Sequence, residues 1–178
     1  MPSRQVIAID MDEVIADALT RHLHLYNTEH KGSVEPHHLQ GRPLREVVPP
    51  EHKDRLLAYA HEEGFFKDLG VMPHSREVIR DLQGKYDIYI ATAAMEFRNS
   101  FVDKYDWMRE HFPFIPWSHI VFCGDKGILA ADYLIDDQVK NFATFKGEGI
   151  LFTAPHNLKQ EGYRRVSDWL EVRKMFLS

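Results

Sequence analysis

The 178 residues of the chain suffice for one domain with a sizeable core, and with 44% hydrophobic and 28% charged residues the composition is that of a soluble globular protein. The formal net charge of -5 excludes the broad basic face that polymeric DNA or RNA requires, so an anionic ligand must be small and bound at a local positive site. The single cysteine, Cys123, excludes an internal disulfide and a zinc site built on several thiolates, and favours a reducing compartment.

The first ten residues, MPSRQVIAID, predict a strand and no targeting segment. A strand-like run begins after four residues, which leaves no room for the charged and apolar regions of a signal peptide. No apolar run approaches the roughly 18 residues that span a bilayer. We therefore predict a cytoplasmic protein with no membrane partner.

Short β-branched or aromatic runs recur along the chain, and each ends in polar residues. Near-continuous apolar runs of this kind are typical of strands buried on both faces of a parallel sheet. Because helix-like segments lie between them, we predict an α/β fold with a Rossmann-like parallel sheet flanked by helices. The predicted strands cover residues 5–10, 86–92, 119–124, 133–137 and 149–154, and the predicted helices cover 75–86, 99–111 and a terminal segment from Ser167.

Two of these helices carry more detailed predictions. Ser75 is the candidate N-cap of the helix over 75–86. The helix over 99–111 has apolar residues at helical spacing, which predict its buried face: Phe101, Val102, Tyr105 and Met108.

One interval interrupts the alternation of strands and helices. From about Asp17 to Val71 the sequence predicts no strand, and residues 16–30 and 50–66 both read as amphipathic helices. An interval of this length is too long for a plain crossover. We predict a helical cap over residues 17–71, inserted into an α/β core that comprises 1–16 plus 72–178.

Polar side chains follow four of the predicted strands. Ligands of open α/β sheets lie outside the carboxyl ends of the strands, so these side chains are expected to lie together. Carboxylates that crowd one crevice repel one another unless a cation or protons offset them, and Mg²⁺ prefers oxygen ligands and leaves positions for a substrate phosphate. A hydroxyl and a lysine would hold that phosphate. The residues are Asp10 and Asp12, Thr92, Lys126, and Asp136 with Asp137.

These residues resemble, in order, the four motifs of the haloacid dehalogenase superfamily of phosphotransferases. Within it the chain is most similar to the 5'(3')-deoxyribonucleotidases, through the segments DMDEVIAD, GFFKDL, KYDWMREHF, DKGILAADYLIDD and LFTAPHN. The resemblance implies a haloacid dehalogenase-like core and an Mg²⁺-dependent phosphomonoesterase that acts on nucleoside monophosphates.

The resemblance also implies the roles of the residues. Asp10 would attack phosphorus to form an aspartyl-phosphate. Asp12 would protonate the leaving alkoxide and later deprotonate the attacking water. The metal would be held by Asp10, the backbone carbonyl of Asp12 and Asp136.

The remaining motif residues would support the metal and the phosphate. Asp137 would lie in the shell behind the metal ligands. Thr92, the backbone N–H of Ala93 and Lys126 would hold the phosphate oxygens.

The chain departs from the family pattern around the leaving group. Glu13 stands where the family commonly has glycine, Glu96 stands where a basic residue is expected, and Ala18 and the segment 40–44 lack the aromatic surfaces expected to contact the base. We therefore expect weak base discrimination, with pyrimidine deoxynucleotides among the better substrates. Candidate pocket residues are Phe65, Phe66, Tyr26 and Arg42, with packing at the hinge between cap and core as the alternative for the two phenylalanines.

Two alternative functions remain open at this point. One is a phosphatase for another small phosphate ester, such as a sugar phosphate. The other is a nucleotide-binding protein without turnover. The sequence does not determine the oligomeric state or the natural substrate.

Overall fold

The computed structural model of the chain describes residues 4–178. Its centre is a six-stranded sheet formed by β1 (Val6–Ile9), β4 (Asp87–Thr92), β5 (Ile120–Phe122), β6 (Tyr133–Asp136), β7 (Glu148–Phe152) and β8 (Arg164–Val166). The strands lie in the order β5-β4-β1-β6-β7-β8, and every neighbouring pair is parallel. The predicted fold class is confirmed.

The central strand β1 is flanked by β4 on one side and by β6 on the other. Its segment VIAI is almost fully buried, since both neighbours and both faces exclude water. Ile7 pairs with Ile88 and with Tyr133, which aligns the carboxyl ends of the three strands. This register sets the strand ends that carry Asp10, Thr92 and Asp136 side by side.

Five of the six strands were predicted, with ends displaced by one or two residues. The sixth, β8, was missed because it is an edge strand whose sequence RRV contains a single buried residue, Val166. It extends the sheet beyond β7. A short polar edge strand has too little apolar pattern to be identified from sequence alone.

Helices flank this sheet and fill the interval before β4. They are α1 (Ala18–His30), α2 (Leu44–Val47), α3 (Lys53–Tyr59), α4 (Ser75–Leu82), α5 (Ser100–His111) and α6 (Trp169–Leu177). Within residues 4–178 no helix is long and apolar enough to cross a membrane.

Two details of the helix predictions are wrong. The N-cap of α4 is His74, in a left-handed conformation, and Ser75 is the first helical residue, whose hydroxyl donates to the Met72 carbonyl. In α5, Val102 and Tyr105 are exposed. Of the predicted face, Met108 is buried and Phe101 is half-buried, and the other buried residues of α5 are Ser100, Lys104 and Trp107.

Residues 17–71 contain α1, α2 and α3, but the predicted helix over 50–66 is shorter than expected. A single 3-10 turn, Pro50–His52, precedes α3, and turns follow it. The interval also contains strand structure that was not predicted: β2 (Ala16–Asp17) pairs antiparallel with β3 (Gly70–Val71). These two short strands join the chain segments that enter and leave the interval. The division into core and cap stays a prediction.

Further hydrogen bonds join the interval to the rest of the chain. The Gly41 N–H donates to the Pro155 carbonyl at 2.9 Å, with Gly41 at a φ of 81° and so close to Lys159 that a Cβ would lie 2.6 Å from its Cγ. The Asn99 side chain donates to the His61 carbonyl at 3.0 Å. A cavity lies between residues 17–71 and the carboxyl ends of the strands.

Candidate active site

The carboxyl ends of β1 and β6 bring three buried carboxylates together. Oxygen atoms of Asp10, Asp136 and Asp137 lie within 4.8 Å of one another. Asp136 accepts hydrogen bonds from the Gln138 N–H at 2.8 Å and from the Asn141 side chain at 2.9 Å. The cluster therefore presents oxygen ligands that are already oriented by the surrounding chain.

One lysine compensates part of this negative charge. Lys126, from the 3-10 turn Lys126–Ile128 after β5, donates to Asp10 and, at 2.5 Å, to Asp136. Burial lowers the pKa of this lysine, but the two carboxylates outweigh burial and raise it above its ordinary value. Lys126 therefore remains a cation inside the site.

Burial and the remaining negative charge raise the pKa values of two of the carboxyl groups, Asp10 and Asp137. Burial, opposed by Lys126 and reinforced by Asp136 and Asp12, raises the pKa of Asp10 to about 7. Burial and the neighbouring carboxylates also raise the pKa of Asp137 well above its usual range. Three carboxylates beside one ammonium group thus favour a second source of positive charge.

Asp12 lies apart from this cluster and has its own lysine. Its Oδ2 accepts from the Lys104 Nζ at 2.5 Å, and the same Nζ donates to the Thr92 hydroxyl oxygen at 3.0 Å. Lys104 is 1% exposed, and its ammonium group lies 4.5 Å from the centre of the Phe66 ring. Lys104 thereby joins Asp12 to Thr92, as Lys126 joins Asp10 to Asp136.

Lys104 was not among the predicted site residues. The apolar period of α5 assigned a different face to the interior, and a lysine in that pattern reads as solvated. The sequence feature that could have identified Lys104 is the segment KYDWMREHF, which carries part of the family resemblance and begins with this lysine.

The loop after β7 contacts the acidic cluster at Asp137. The Asn157 side chain donates to the carbonyls of Asp137 and Phe152 at 2.9 and 2.8 Å and accepts from the Arg165 side chain. The His156 ring lies 3.2 Å from an Asp137 carboxylate oxygen. The segment LFTAPHN thus connects the ends of β6, β7 and β8.

Glu13 has an unusual conformation at the margin of the site. Its φ of 61° is rare for a residue with a side chain, and its carboxylate accepts from the Leu19 N–H at 2.6 Å. Burial raises the pKa of this carboxyl to about 8. The glycine that the family commonly has at this position adopts such a φ without strain.

The cavity over the strand ends has a volume of about 760 Å³ and is large enough for a small organic phosphate. Its core side includes Asp10, Asp12, Ala93 and Lys126. Its opposite side is mostly apolar and includes Ala18, Leu44, Leu57 and Phe66, while Met95 and Phe97 close it from the loop after β4.

The structure places the predicted pocket residues unequally. Phe66 lines the cavity, whereas Phe65 is buried against the His22 ring with 4.5 Å between ring centres. The Tyr26 hydroxyl lies 2.9 Å from the His52 Nδ1, away from the lining.

Arg42 is also absent from the lining, and Arg45, three residues later in α2, is present instead. Gln40 and Gly41, just before this helix, both have positive φ values, which the sequence does not predict.

The chain is similar to known proteins over almost its whole length. A family model described as "5' nucleotidase, deoxy (Pyrimidine), cytosolic type C protein" matches residues 4–178. A "Putative 5'(3')-deoxyribonucleotidase" of Staphylococcus epidermidis is 47% identical over 176 residues, covering 99% of this chain and 98% of the relative. The 5'(3')-deoxyribonucleotidase of Bacillus subtilis is 35% identical over 175 residues, covering 98% and 99%.

Solved structures share the fold at low sequence identity. The magnesium-bound "putative HAD-hydrolase YfnB" of Bacillus subtilis superposes with a TM-score of 0.62 at 15% identity, covering 98% of this chain and 99% of that one. The L-2-haloacid dehalogenase PA0810 gives 0.56 at 11% identity, covering 99% and 100%. With the family model matching almost the whole chain, the protein belongs to the 5'(3')-deoxyribonucleotidases, a family of phosphoric monoester hydrolases with the haloacid dehalogenase fold.

Proposed function

We propose that the protein is an Mg²⁺-dependent 5'(3')-deoxyribonucleotidase that hydrolyses deoxyribonucleoside monophosphates to nucleoside and phosphate through an aspartyl-phosphate on Asp10. The observation that carries the proposal is the pairing of two carboxylates with two buried lysines. Asp10 contacts Lys126 within the acidic cluster, and Asp12 contacts Lys104 beside it. One carboxylate can thus act on phosphorus while the other exchanges protons.

The residues present fit a magnesium ion. The three buried carboxylates supply oxygen donors within 4.8 Å of one another. Burial and the neighbouring carboxylates raise the pKa values of Asp10 and Asp137, and one lysine does not offset this. Asp10, Asp136 and the backbone carbonyl of Asp12 would hold the ion, with Asp137 behind them. When bound, it neutralises charge on the transferring phosphoryl group and on the carboxylates that face it.

The chain's own groups then carry the reaction. The Asp10 carboxylate attacks phosphorus, and Asp12 protonates the oxygen of the leaving sugar. The Thr92 hydroxyl, the Ala93 N–H and the Lys126 ammonium group stabilise the phosphoryl oxygens as charge develops. In the second step Asp12 deprotonates the water that releases phosphate from Asp10.

The cavity supports a nucleoside as the leaving group. Phosphate binds at the polar strand ends, and the apolar side formed by Leu57, Phe66, Met95 and Phe97 can cover a planar base. Because Ala18 and Leu44 occupy places where aromatic stacking was expected, we expect mild base preference, with dUMP and dTMP among the better substrates. Loss of one stacking face forfeits about 1 to 3 kcal/mol per base.

The proposal is tested by measuring kcat/KM on a panel of nucleoside monophosphates and sugar phosphates, with Mg²⁺ and with excess EDTA. We expect deoxynucleotides to be the best substrates and activity to vanish in EDTA. If every nucleotide falls at least a hundredfold below the best sugar phosphate, the nucleotidase assignment fails. Full turnover in EDTA would instead contradict the metal dependence.

A further inference from the structure

The turn after β1 forces Glu13 into a conformation that side chains rarely adopt. The Glu13 N–H donates to the Ala16 carbonyl at 2.7 Å, and the N–H groups of Ile15 and Ala16 both donate to the Met11 carbonyl at 2.9 Å. These bonds define a tight turn that holds Glu13 at a φ of 61°. Glycine would satisfy the same turn without strain, so the geometry of the turn does not account for a glutamate.

The environment of the Glu13 carboxyl group is unfavourable as well as its backbone conformation. Its hydrogen bond comes from the Leu19 N–H in the first turn of α1, and its neighbouring charges include Asp12 and Asp17, both negative. Backbone strain at a half-buried acidic residue that lines a ligand cavity points to a role in function.

Glu13 directly follows Asp12, the residue that protonates the leaving oxygen in the proposed reaction. Consecutive Cα atoms are about 3.8 Å apart, so the two carboxyl groups can reach two different oxygens of one sugar. We propose that Glu13 is a specificity-determining residue that accepts a hydrogen bond from the free hydroxyl of the leaving sugar. This inference rests on the proposed function.

The chemistry of the substrate identifies that hydroxyl. A deoxyribonucleoside 5'-monophosphate has a single free sugar hydroxyl, the 3'-OH, because the 5'-oxygen carries the phosphate. A carboxyl group offers an acceptor oxygen whether it is ionised or protonated. With one oxygen held by the Leu19 N–H, the carboxyl can present its other oxygen to the 3'-OH.

The competing explanation is that Glu13 only caps α1. Asp17 provides a matched control, because it also caps α1, accepting from the Thr20 N–H at 2.9 Å, but it does not line the cavity. Loss of a cap would lower activity on all nucleotides together. Loss of a hydroxyl contact would lower activity only on substrates that carry the hydroxyl.

The experiment compares kcat/KM for dTMP and for 3'-deoxythymidine 5'-monophosphate, which lacks the 3'-OH. Wild type should prefer dTMP by about tenfold to a hundredfold, since a hydrogen bond to a carboxyl group contributes that much discrimination. Glu13→Gly should reduce this preference to within about twofold of unity through a loss on dTMP. Glu13→Gln, whose amide oxygen is a weaker acceptor, should fall between them, and Asp17→Ala should keep the wild-type preference.

The outcomes separate the inference from the proposed function. A wild-type preference near unity, or a Glu13→Gly enzyme that retains the full preference, overturns the role of Glu13 and leaves the nucleotidase assignment standing. Wild-type enzyme that hydrolyses 4-nitrophenyl phosphate but no nucleotide overturns both. Melting curves of each variant establish that the folded proteins are being compared, and the wild-type ratio tests the inference without any variant.

Discussion

The two sides of the cavity differ in how firmly the structure fixes their side chains. On the core side, Asp10 directly follows β1 and Asp136 is the last residue of β6, and Lys126 joins the two carboxylates. On the opposite side, Arg45 is exposed and Leu57 is 53% exposed, and both belong to short helices. The groups that the proposed reaction uses lie at the ends of buried strands, whereas the apolar side that would cover the base includes exposed side chains on short helices, where substitution costs little stability.

The largest expected effect comes from the core side. Asp10→Asn should lower kcat by several powers of ten, on the order of a million-fold as for other covalent nucleophiles, because an amide oxygen is a poor nucleophile. The fold should remain, since the change removes one charge from a crowded acidic cluster. Rapid-quench or steady-state assays measure the loss, and circular dichroism checks the fold. A variant that kept a tenth of the wild-type turnover would exclude Asp10 as the nucleophile.

The second prediction concerns Lys104, the buried cation beside Asp12. Lys104→Met should lower kcat/KM by roughly a hundredfold to a thousandfold, because Asp12 and Thr92 lose their common partner. The loss should be smaller on 4-nitrophenyl phosphate, whose leaving group needs no proton from Asp12. Lys140→Met, which removes an exposed lysine of the same cavity, should have a much smaller effect. Equal losses for the two lysine variants would contradict the special position of Lys104.

The two buried lysines also show what the sequence could predict. Lys126 was predicted because it directly follows a strand, and the carboxyl ends of parallel strands meet at one edge of the sheet. Lys104 was not, because it lies within a helix, where the apolar pattern favoured the face that includes Val102 and Tyr105. Its burial is explained by tertiary contacts with Asp12, Thr92 and Phe66, which the sequence of α5 does not show.

The sheet could likewise be predicted from the sequence, whereas the path of residues 17–71 could not. The strands of the sheet were predicted from continuous apolar runs, except for the polar edge strand β8, and the family resemblance is confirmed. In residues 17–71 the path of the chain depends on left-handed residues such as Gln40 and on the short β2–β3 pair, neither of which has a strong sequence signal. The roles of the individual site residues stay predictions.

The third prediction tests which of two arginines in residues 17–71 contacts the substrate. Arg45→Ala should raise KM for deoxynucleotides about threefold to tenfold with little change in kcat, because Arg45 lines the cavity at a solvent-exposed position where one charge contributes little. Arg42→Ala should change KM less than twofold, since Arg42 lies outside the lining. The two KM values measure the difference, and the reverse order would show that the sequence had identified the correct arginine.

The smallest expected effect concerns stability, and it tests whether Glu13 lowers the stability of the folded protein. Glu13→Gly should raise the melting temperature, because glycine adopts a φ of 61° without strain. Relief of about 1 kcal/mol corresponds to roughly 2 to 4 °C for a chain of this size. The measurement is made in EDTA, so that metal binding does not contribute.

The increase in melting temperature should have a second, pH-dependent contribution from the carboxyl group. Glu13→Gln measures this contribution separately, because it removes the ionisable group and keeps the length of the side chain. The pKa of Glu13 is about 8 in the folded protein and 4.5 ordinarily, so the folded state holds a proton that the unfolded state has released between these values. Stability of the wild type is therefore lost as pH rises from 4.5 through 8, and this loss is absent from the variant. The melting temperature of Glu13→Gln minus that of wild type should be larger at pH 8.5 than at pH 5. A difference that is constant with pH would show that Glu13 is ionised in the folded protein at neutral pH, and that its cost comes from the backbone alone.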